Sequence, residues 1–309
     1  MPELPEVEII KLGLQKKIIG LKIQKIQILS EKSFIGNPDL AQGKNVLKIW
    51  RKAKILGVDL SSHSGAKRSE AIESRSYRSA NASLQDDKNA VLLFHLKMTG
   101  QLIYEDGKRM IGGHPTEDML GKMPNSHTRV IFSFSDGSHL YFNDQRRFGW
   151  VKIVDRRQAT VDSLFKKLGP EPLEKDFTWQ VLKQNLLRHK SMPVKAAIMD
   201  QSVLSGVGNI YSNEACFNAK IDPRKKVGDM KDREFKALHS GIIKALRDGI
   251  AHGGSTRAHF VDPEGHKGYF LDYAKVYGKE GYSCQGCKGK IRKITLAGRG
   301  TYFCPACQR

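Results

Sequence analysis

The sequence predicts an α+β chain, with a β-rich first half opened by a helix, a helical second half and a small ribbon at the C-terminus. Three observations carry that expectation. Strand-like apolar stretches dominate up to residue 154, apolar residues at helical spacing dominate from 179 to 252, and four of the five cysteines fall in the last 26 residues. At 309 residues, and about 150 residues per domain, the chain has room for roughly two domains with a core in each.

The elements follow in order. Val7, Ile10 and Leu14 recur at helical spacing ahead of Gly20, so a helix is expected over 5–19. Strands are expected at 22–29, 46–60, 90–96, 129–134, 139–143 and 149–154, most of them rich in β-branched or aromatic residues. The pair at 129–134 and 139–143 is joined by Ser135-Asp136-Gly137-Ser138, a hairpin signal. Residues 61–89 are polar and aperiodic and read as a flexible insertion, while 104–127, rich in Gly and Pro, reads as a long surface connection. Leu168-Gly169-Pro170-Glu171-Pro172-Leu173 reads as a stiff hinge. Helices are then expected at 179–189, 194–204, 210–219 and 232–252, and the turn Ser205-Gly206-Val207-Gly208-Asn209 makes the middle pair a helix-turn-helix candidate. A glycine-rich turn that opens a helix presents backbone N–H groups and a positive dipole end to a phosphate.

Cys284-x2-Cys287 and Cys304-x2-Cys307, 16 residues apart, have the spacing of a zinc ribbon. Four thiolates close a tetrahedral shell and leave no open position for chemistry, so one structural Zn2+ is expected. Two disulfides are the alternative, which a reducing compartment disfavours. Cys216, between Ala215 and Phe217, reads as a small buried hydrophobe.

Charge narrows the partner. Lys and Arg number 52 against 32 Asp and Glu, a net charge of +20. An excess of that size suits a polyanion, because cations that neutralise phosphates release condensed counterions. Charge alone does not separate a nucleic-acid enzyme from a ribosome-associated or merely basic surface. No window approaches the ~18 apolar residues of a membrane helix, and the acidic start lacks the pattern of a signal peptide. A cytoplasmic protein with no membrane partner is the expectation.

Four motifs occur in order along the chain. They are Pro2-Glu3-Leu4-Pro5-Glu6-Val7-Glu8, Asp144-Gln145-Arg146-Arg147-Phe148-Gly149, Gly206-Val207-Gly208-Asn209-Ile210-Tyr211 and the four-cysteine ribbon. Together they resemble the bacterial formamidopyrimidine-DNA glycosylases nearly end to end. The resemblance implies an N-terminal β-sandwich with a catalytic N-terminal helix, followed by a helix-two-turn-helix domain with a zinc ribbon. The implied divisions are 1–167, with the 61–89 insertion, a hinge at 168–175, a helical DNA-binding domain with a lesion loop at 176–280, and the ribbon at 281–309. The implied activity is excision of oxidised purines, chiefly 8-oxoguanine and formamidopyrimidines, followed by strand cleavage through β,δ-elimination. The implied partner is double-stranded DNA carrying oxidised bases or abasic sites, bound by a monomer.

Residue roles follow from the same resemblance. Pro2, freed by removal of Met1, matches the nucleophile. An α-amino group with a reference pKa near 8 keeps a useful unprotonated fraction at neutral pH, and a secondary amine forms a cationic iminium with C1′ of the sugar. Glu3 matches the acid–base residue, Glu6 a supporting carboxylate, and Lys54 a lysine beside the nucleophile. Met98, Arg146 and Phe148 match the trio that fills and wedges the duplex once a base is flipped, and Arg147 matches a phosphate contact. Lys195, Asn209 and Arg299 match clamps on the lesion strand, while Arg257, Ala258, His259 and Phe260 match the loop around the damaged purine. Two departures stand out: Gln145 where the family usually has proline, and Lys97 where a small residue is common. Rival readings are an endonuclease VIII-like glycosylase for oxidised pyrimidines and a non-catalytic zinc-ribbon DNA binder. Leu4 and the Arg146–Phe148 pair favour the purine branch over the first, and Pro2, Glu3 and Lys54 oppose the second.

Overall fold

The computed structural model describes residues 1–62, 88–113, 121–155, 161–255 and 270–309. It divides into two compact units. Among the described residues, one comprises those in 1–2 and 6–165, and the other those in 3–5 and 166–309. The division after Phe165 falls two residues ahead of the one expected at 167, and Glu3–Pro5 group with the second unit.

The first unit begins with helix α1 (Leu4–Ile18) and builds two five-stranded sheets. In chain order the strands are β1 (Ile23–Ile28), β2 (Phe34–Ile35), β3 (Asn45–Lys52), β4 (Ile55–Ser61), β5 (Lys88–His95), β6 (Gly100–Glu105), β7 (Arg109–Gly113), β8 (Thr128–Phe134), β9 (His139–Asp144) and β10 (Trp150–Asp155). One sheet runs β1-β8-β9-β6-β7 and the other β2-β10-β5-β4-β3. The pairings are antiparallel except for β2 with β10. Alternation along β8 explains the sandwich. Val130, Phe132 and Phe134 enter the core shared by both sheets, while Ile131 joins a small cluster with Ile103, Met123 and Tyr141. Phe132 meets Phe94 of the other sheet with ring centroids 5.6 Å apart. Val7, Ile10, Leu14 and Ile18 of α1 pack into this core, as their spacing dictates.

Three expectations need correction. The stretch 46–60 is two strands, because Ala53 adopts a left-handed φ of 53° and turns the chain between Lys52 and Ile55. No Gly or Asn marks that turn. The stretch 104–127 is not wholly irregular: it includes the end of β6 and all of β7, paired from Gln101↔Gly113 to Glu105↔Arg109. The 194–204 helix stops early, at Met199. Asp200 takes ψ 120° and its carboxylate accepts the Ser202 N–H at 2.8 Å, a local turn that competes with the helix.

The second unit packs α2 (Trp179–Leu186), α3 (Val194–Met199), α4 (Asn209–Asn218) and α5 (Asp232–Ala251) around one apolar core. Phe235, Leu238, Ile242, Ala245 and Leu246 of α5 line it at helical spacing. Leu4 is buried in the same core, and its N–H donates to Gly206 O at 3.0 Å. A short helix α6 (Phe270–Tyr273) precedes a hairpin of β11 (Arg292–Leu296) and β12 (Arg299–Phe303). Its two-residue loop, Ala297-Gly298, has both φ positive at 49° and 71°, the tight connection whose twist matches a hairpin. Among the described residues no helix is long and apolar enough to cross a membrane.

Candidate active site

In the first unit, Pro2 is buried and Glu6 on α1 is only 3% exposed. While Met1 is attached, the Pro2 nitrogen is an amide. Only loss of the methionine would turn it into a free secondary amine. α1 also fixes the turn that carries Lys54. Arg51 Nε donates to Glu8 at 2.8 Å and Arg51 Nη1 donates to Ala53 O at 3.1 Å. Burial pushes the Glu8 carboxyl up, but hydrogen bonds from Lys11 and Arg51 outweigh it and hold the group below its ordinary range. Lys54 follows the left-handed Ala53 and is buried.

His95, which the sequence reading missed, ends β5 opposite Ile55, the residue after Lys54. Its Nδ1 accepts the Lys97 N–H at 3.1 Å, so the neutral ring carries its proton on Nε2. Burial drives its pKa down to about 3, with Lys97 and Lys54 repelling the cation further. The ring is therefore a neutral donor beside the Lys54 ammonium. Its position in His95-Leu96-Lys97-Met98-Thr99-Gly100 was the available signal.

The same unit carries Met98 and the Arg146–Phe148 group, expected from the resemblance to wedge the duplex, on two turns. Met98 is half-buried, while Arg146, Arg147 and Phe148 are exposed. Phe148 leaves 54% of its surface open, and the Arg146 guanidinium lies 4.8 Å from its ring centroid. Such exposure of an aromatic ring is the informative kind. Lys97 and Arg147 sit at φ 50° and 56°, strain of about 1 kcal/mol or more each for non-glycine residues. Both turns converge on Asp144, which is fully buried and accepts from Thr99 Oγ1, Arg146 N–H (3.2 Å) and Gly149 N–H (2.6 Å).

In the second unit, Glu3 anchors on the start of α4. Its carboxylate accepts N–H donors from Gly208 at 2.7 Å, Ile210 at 2.9 Å and Tyr211 at 3.4 Å. A carboxylate there satisfies orphan amides and meets the positive end of the helix dipole. Gly208 is obligatory, because a Cβ would lie 2.4 Å from Glu3 Cδ. Asn209 is half-buried at the first turn, and its Oδ1 accepts from Lys195 Nζ at 2.6 Å. Lys195 Nζ also donates to Thr301 Oγ1 at 3.0 Å and Gly300 O at 3.2 Å. Lys195, matched by the resemblance to a clamp on the lesion strand, is 1% exposed, and its Nζ ties α4 to β12, where Arg299 is exposed. Burial lowers its amine to about 8, although Cys216 and Glu3 oppose the fall. Cys216 is fully buried and pushed up to about 12, as suits an inert thiol.

Two more residues missed from sequence hold the ribbon's approach. The buried Glu214 carboxylate accepts N–H donors from Lys275 (2.9 Å), Val276 (3.0 Å) and Tyr277 (2.9 Å), and Asn213 Oδ1 accepts from Tyr302 N–H at 2.7 Å. The sulfurs of Cys284, Cys287, Cys304 and Cys307 lie within 4.8 Å of one another, with pairs at 3.7 Å and 3.4 Å. A disulfide needs about 2 Å, whereas Zn–S bonds of about 2.3 Å around a tetrahedron set sulfurs about 3.8 Å apart. The four cysteines hold one structural zinc. Arg257, Ala258, His259 and Phe260 lie outside the described residues, as does most of the 61–89 insertion.

A basic zinc hairpin pinned to a helix N-terminus, together with a sandwich turn that keeps an aromatic ring and two arginines in solvent, has the makings of a DNA-processing protein. The family models agree: the formamidopyrimidine-DNA glycosylase N-terminal domain matches residues 1–151, the H2TH domain of the same glycosylases 168–260, and the zinc finger found in FPG and IleRS 284–309. The chain belongs to the formamidopyrimidine-DNA glycosylase family. It is 34% identical to the formamidopyrimidine-DNA glycosylase of Pelotomaculum thermopropionicum, covering 100% of this chain and 99% of that one. It is 32% identical to that of Listeria monocytogenes, with both chains covered in full. Among solved structures it resembles a Lactococcus lactis FPG mutant bound to Fapy-dG-containing DNA (TM-score 0.78, 29% identity, both chains covered in full). It also resembles MutM bound to DNA containing carbocyclic 8-oxo-G (TM-score 0.77, 29% identity, both chains covered in full).

Proposed function

We propose that the chain removes oxidised purines from duplex DNA and then cleaves the strand, with the mature Pro2 nitrogen as nucleophile. The observation that carries the reading is the buried Glu3 carboxylate, next in sequence to Pro2 and immobilised on three backbone N–H groups. The similar structures hold DNA containing Fapy-dG, an abasic site or a carbocyclic 8-oxo-G, which is the substrate class this reading needs.

The chemistry balances on the chain's own groups. The Pro2 nitrogen bonds to C1′ and the C1′–N9 bond breaks, releasing the base. Glu3 exchanges a proton with the sugar ring oxygen as the ring opens, which leaves a cationic iminium. That cation acidifies C2′. The Glu3 carboxylate, having given its proton to the ring oxygen, takes one from C2′ as the C3′–O bond breaks and the 3′ phosphate leaves. Loss of a C4′ proton to water breaks the C5′–O bond and expels the 5′ phosphate. Water then hydrolyses the iminium, restoring the Pro2 amine and releasing the sugar fragment as an unsaturated aldehyde. Lys54 and the neutral His95 bind backbone phosphate beside this centre, with Glu6 supporting the terminus. Met98 fills the vacated stack, Phe148 wedges it, Arg146 reads the orphaned base and Arg147 meets a phosphate. Asn209 and Arg299 grip the lesion strand, Lys195 positions both, and Arg257, Ala258, His259 and Phe260 surround the damaged base. The zinc stiffens the ribbon and supplies no reacting atom. This division of labour assigns catalysis and the duplex wedge to 1–167, and further DNA grip to the helical domain at 176–280 and the ribbon at 281–309 after the 168–175 hinge, in a monomer acting in the cytoplasm at the nucleoid.

Borohydride trapping on an 8-oxoguanine duplex tests the reading. The mature protein should form a covalent adduct, and either acetylation of its terminus or Glu3→Gln should lower excision at least about a hundredfold while DNA binding persists. Full excision by the terminally blocked protein would sink it. Preference for thymine glycol over 8-oxoguanine would favour the pyrimidine branch.

A further inference from the structure

We propose that Asp144 is a positioning residue that locks the Met98 turn and the Arg146–Phe148 turn into one register, and so sets how the base opposite the lesion is read. The inference rests on the wedge roles given above. Asp144 ends β9, and its carboxylate is divided between the two turns. Oδ1 accepts from the Thr99 hydroxyl and from Arg146 N–H at 3.2 Å, and Oδ2 accepts from Gly149 N–H at 2.6 Å. Thr99 Oγ1 closes the ring by accepting the same Arg146 N–H at 3.0 Å.

The Asp144 backbone is itself held from behind. Arg129 Nε donates to Asp144 O at 2.8 Å, Arg129 Nη1 donates to Ser126 O at 3.0 Å, and Asp144 N–H donates to His127 O at 2.9 Å. The far end of the second turn is equally confined. A Cβ on Gly149 would lie 2.9 Å from Phe142 Cζ, 3.0 Å from Asp144 Oδ2 and 3.1 Å from His95 O. Between these fixed ends stand left-handed Arg147 and, across Thr99, left-handed Lys97. Gln145 has no ring to lock its φ, so the turn depends on the carboxylate. Both oxygens face N–H donors, and an amide in its place turns one donor onto another. Every side-chain bond of Asp144 thus goes to a turn bearing a wedge residue, and a shift in one turn is passed to the other.

Three variants test this: Thr99→Val, Thr99→Ser and Asp144→Asn. Each is assayed on 8-oxoguanine opposite cytosine, on 8-oxoguanine opposite adenine, and on a preformed abasic site in single-stranded DNA, which has no opposite base. Thr99→Val and Asp144→Asn should lower duplex excision about tenfold or more and shrink the difference between opposite cytosine and adenine. Single-strand cleavage should stay within about twofold of the parent, and Thr99→Ser should restore duplex excision. The proposal is overturned if the single-strand and duplex activities fall together, if Thr99→Ser is as poor as Thr99→Val, or if no variant changes the opposite-base ratio. Absence of excision and trapping in the parent protein would instead refute the function, which separates the two failures.

Discussion

Two residues show how little of their chemistry resides in their own side chains. His95 is kept neutral by burial and by Lys54 and Lys97, with a pKa of about 3. Because that value lies below the unfolded one of about 6.5, its stability contribution is complete above pH 6.5 and is lost as pH falls toward 3. His95→Asn should therefore flatten the acid limb of the stability curve, by up to about 1.4 kcal/mol per pH unit. Urea melts of both proteins between pH 7 and 4 check the difference, and parallel curves would remove the argument. Gly208 is the second case. Its missing side chain leaves room for the Glu3 carboxylate, so Gly208→Ala should cost excision about a hundredfold while the zinc stays bound. An alanine variant of full activity would mean that Glu3 works from elsewhere.

Among the elements, α4 is the hub of the second unit. Its N-terminus holds Glu3, its first residue holds the Lys195 ammonium, Asn213 takes the Tyr302 amide, and Glu214 gathers three amides ahead of the ribbon. None of these bonds is legible in the helix's own pattern, which as a sequence reads only as a helix after a glycine turn. Burial pushes the Glu214 carboxyl above its ordinary value, against the three N–H bonds that favour the charge. Glu214→Ala strands three buried donors at about 1–3 kcal/mol each. The variant should melt earlier and bind abasic duplex at least about tenfold more weakly, as calorimetry and fluorescence anisotropy would show. Unchanged affinity would detach the ribbon's placement from α4. The β3–β4 turn carries the same lesson. An alanine in the left-handed region gives no local sign, and the pairing with neighbouring strands overrides the propensity that suggested one long strand.

For the whole molecule, the proposed function puts grip on the net charge of +20 and the zinc hairpin, and chemistry on the N-terminal segment. Chelation of the zinc should weaken binding to abasic duplex and steepen its loss with salt, while borohydride trapping at saturating protein survives, because no metal atom reacts. Loss of trapping at saturation would place the ribbon inside the catalytic step. The sequence by itself determined the features that short windows encode: the alternation of the sandwich strands, the spacing of the α5 face, the four cysteines and the terminal Pro-Glu pair. Tertiary structure alone decided that Lys195 is an internal tie, that His95 is a neutral donor, and that Glu3 bonds to Gly208, 205 positions away. Periodicity and ligand spacing act over a few residues of chain, whereas burial and hydrogen-bond partnership are set by neighbours that folding brings from anywhere along it.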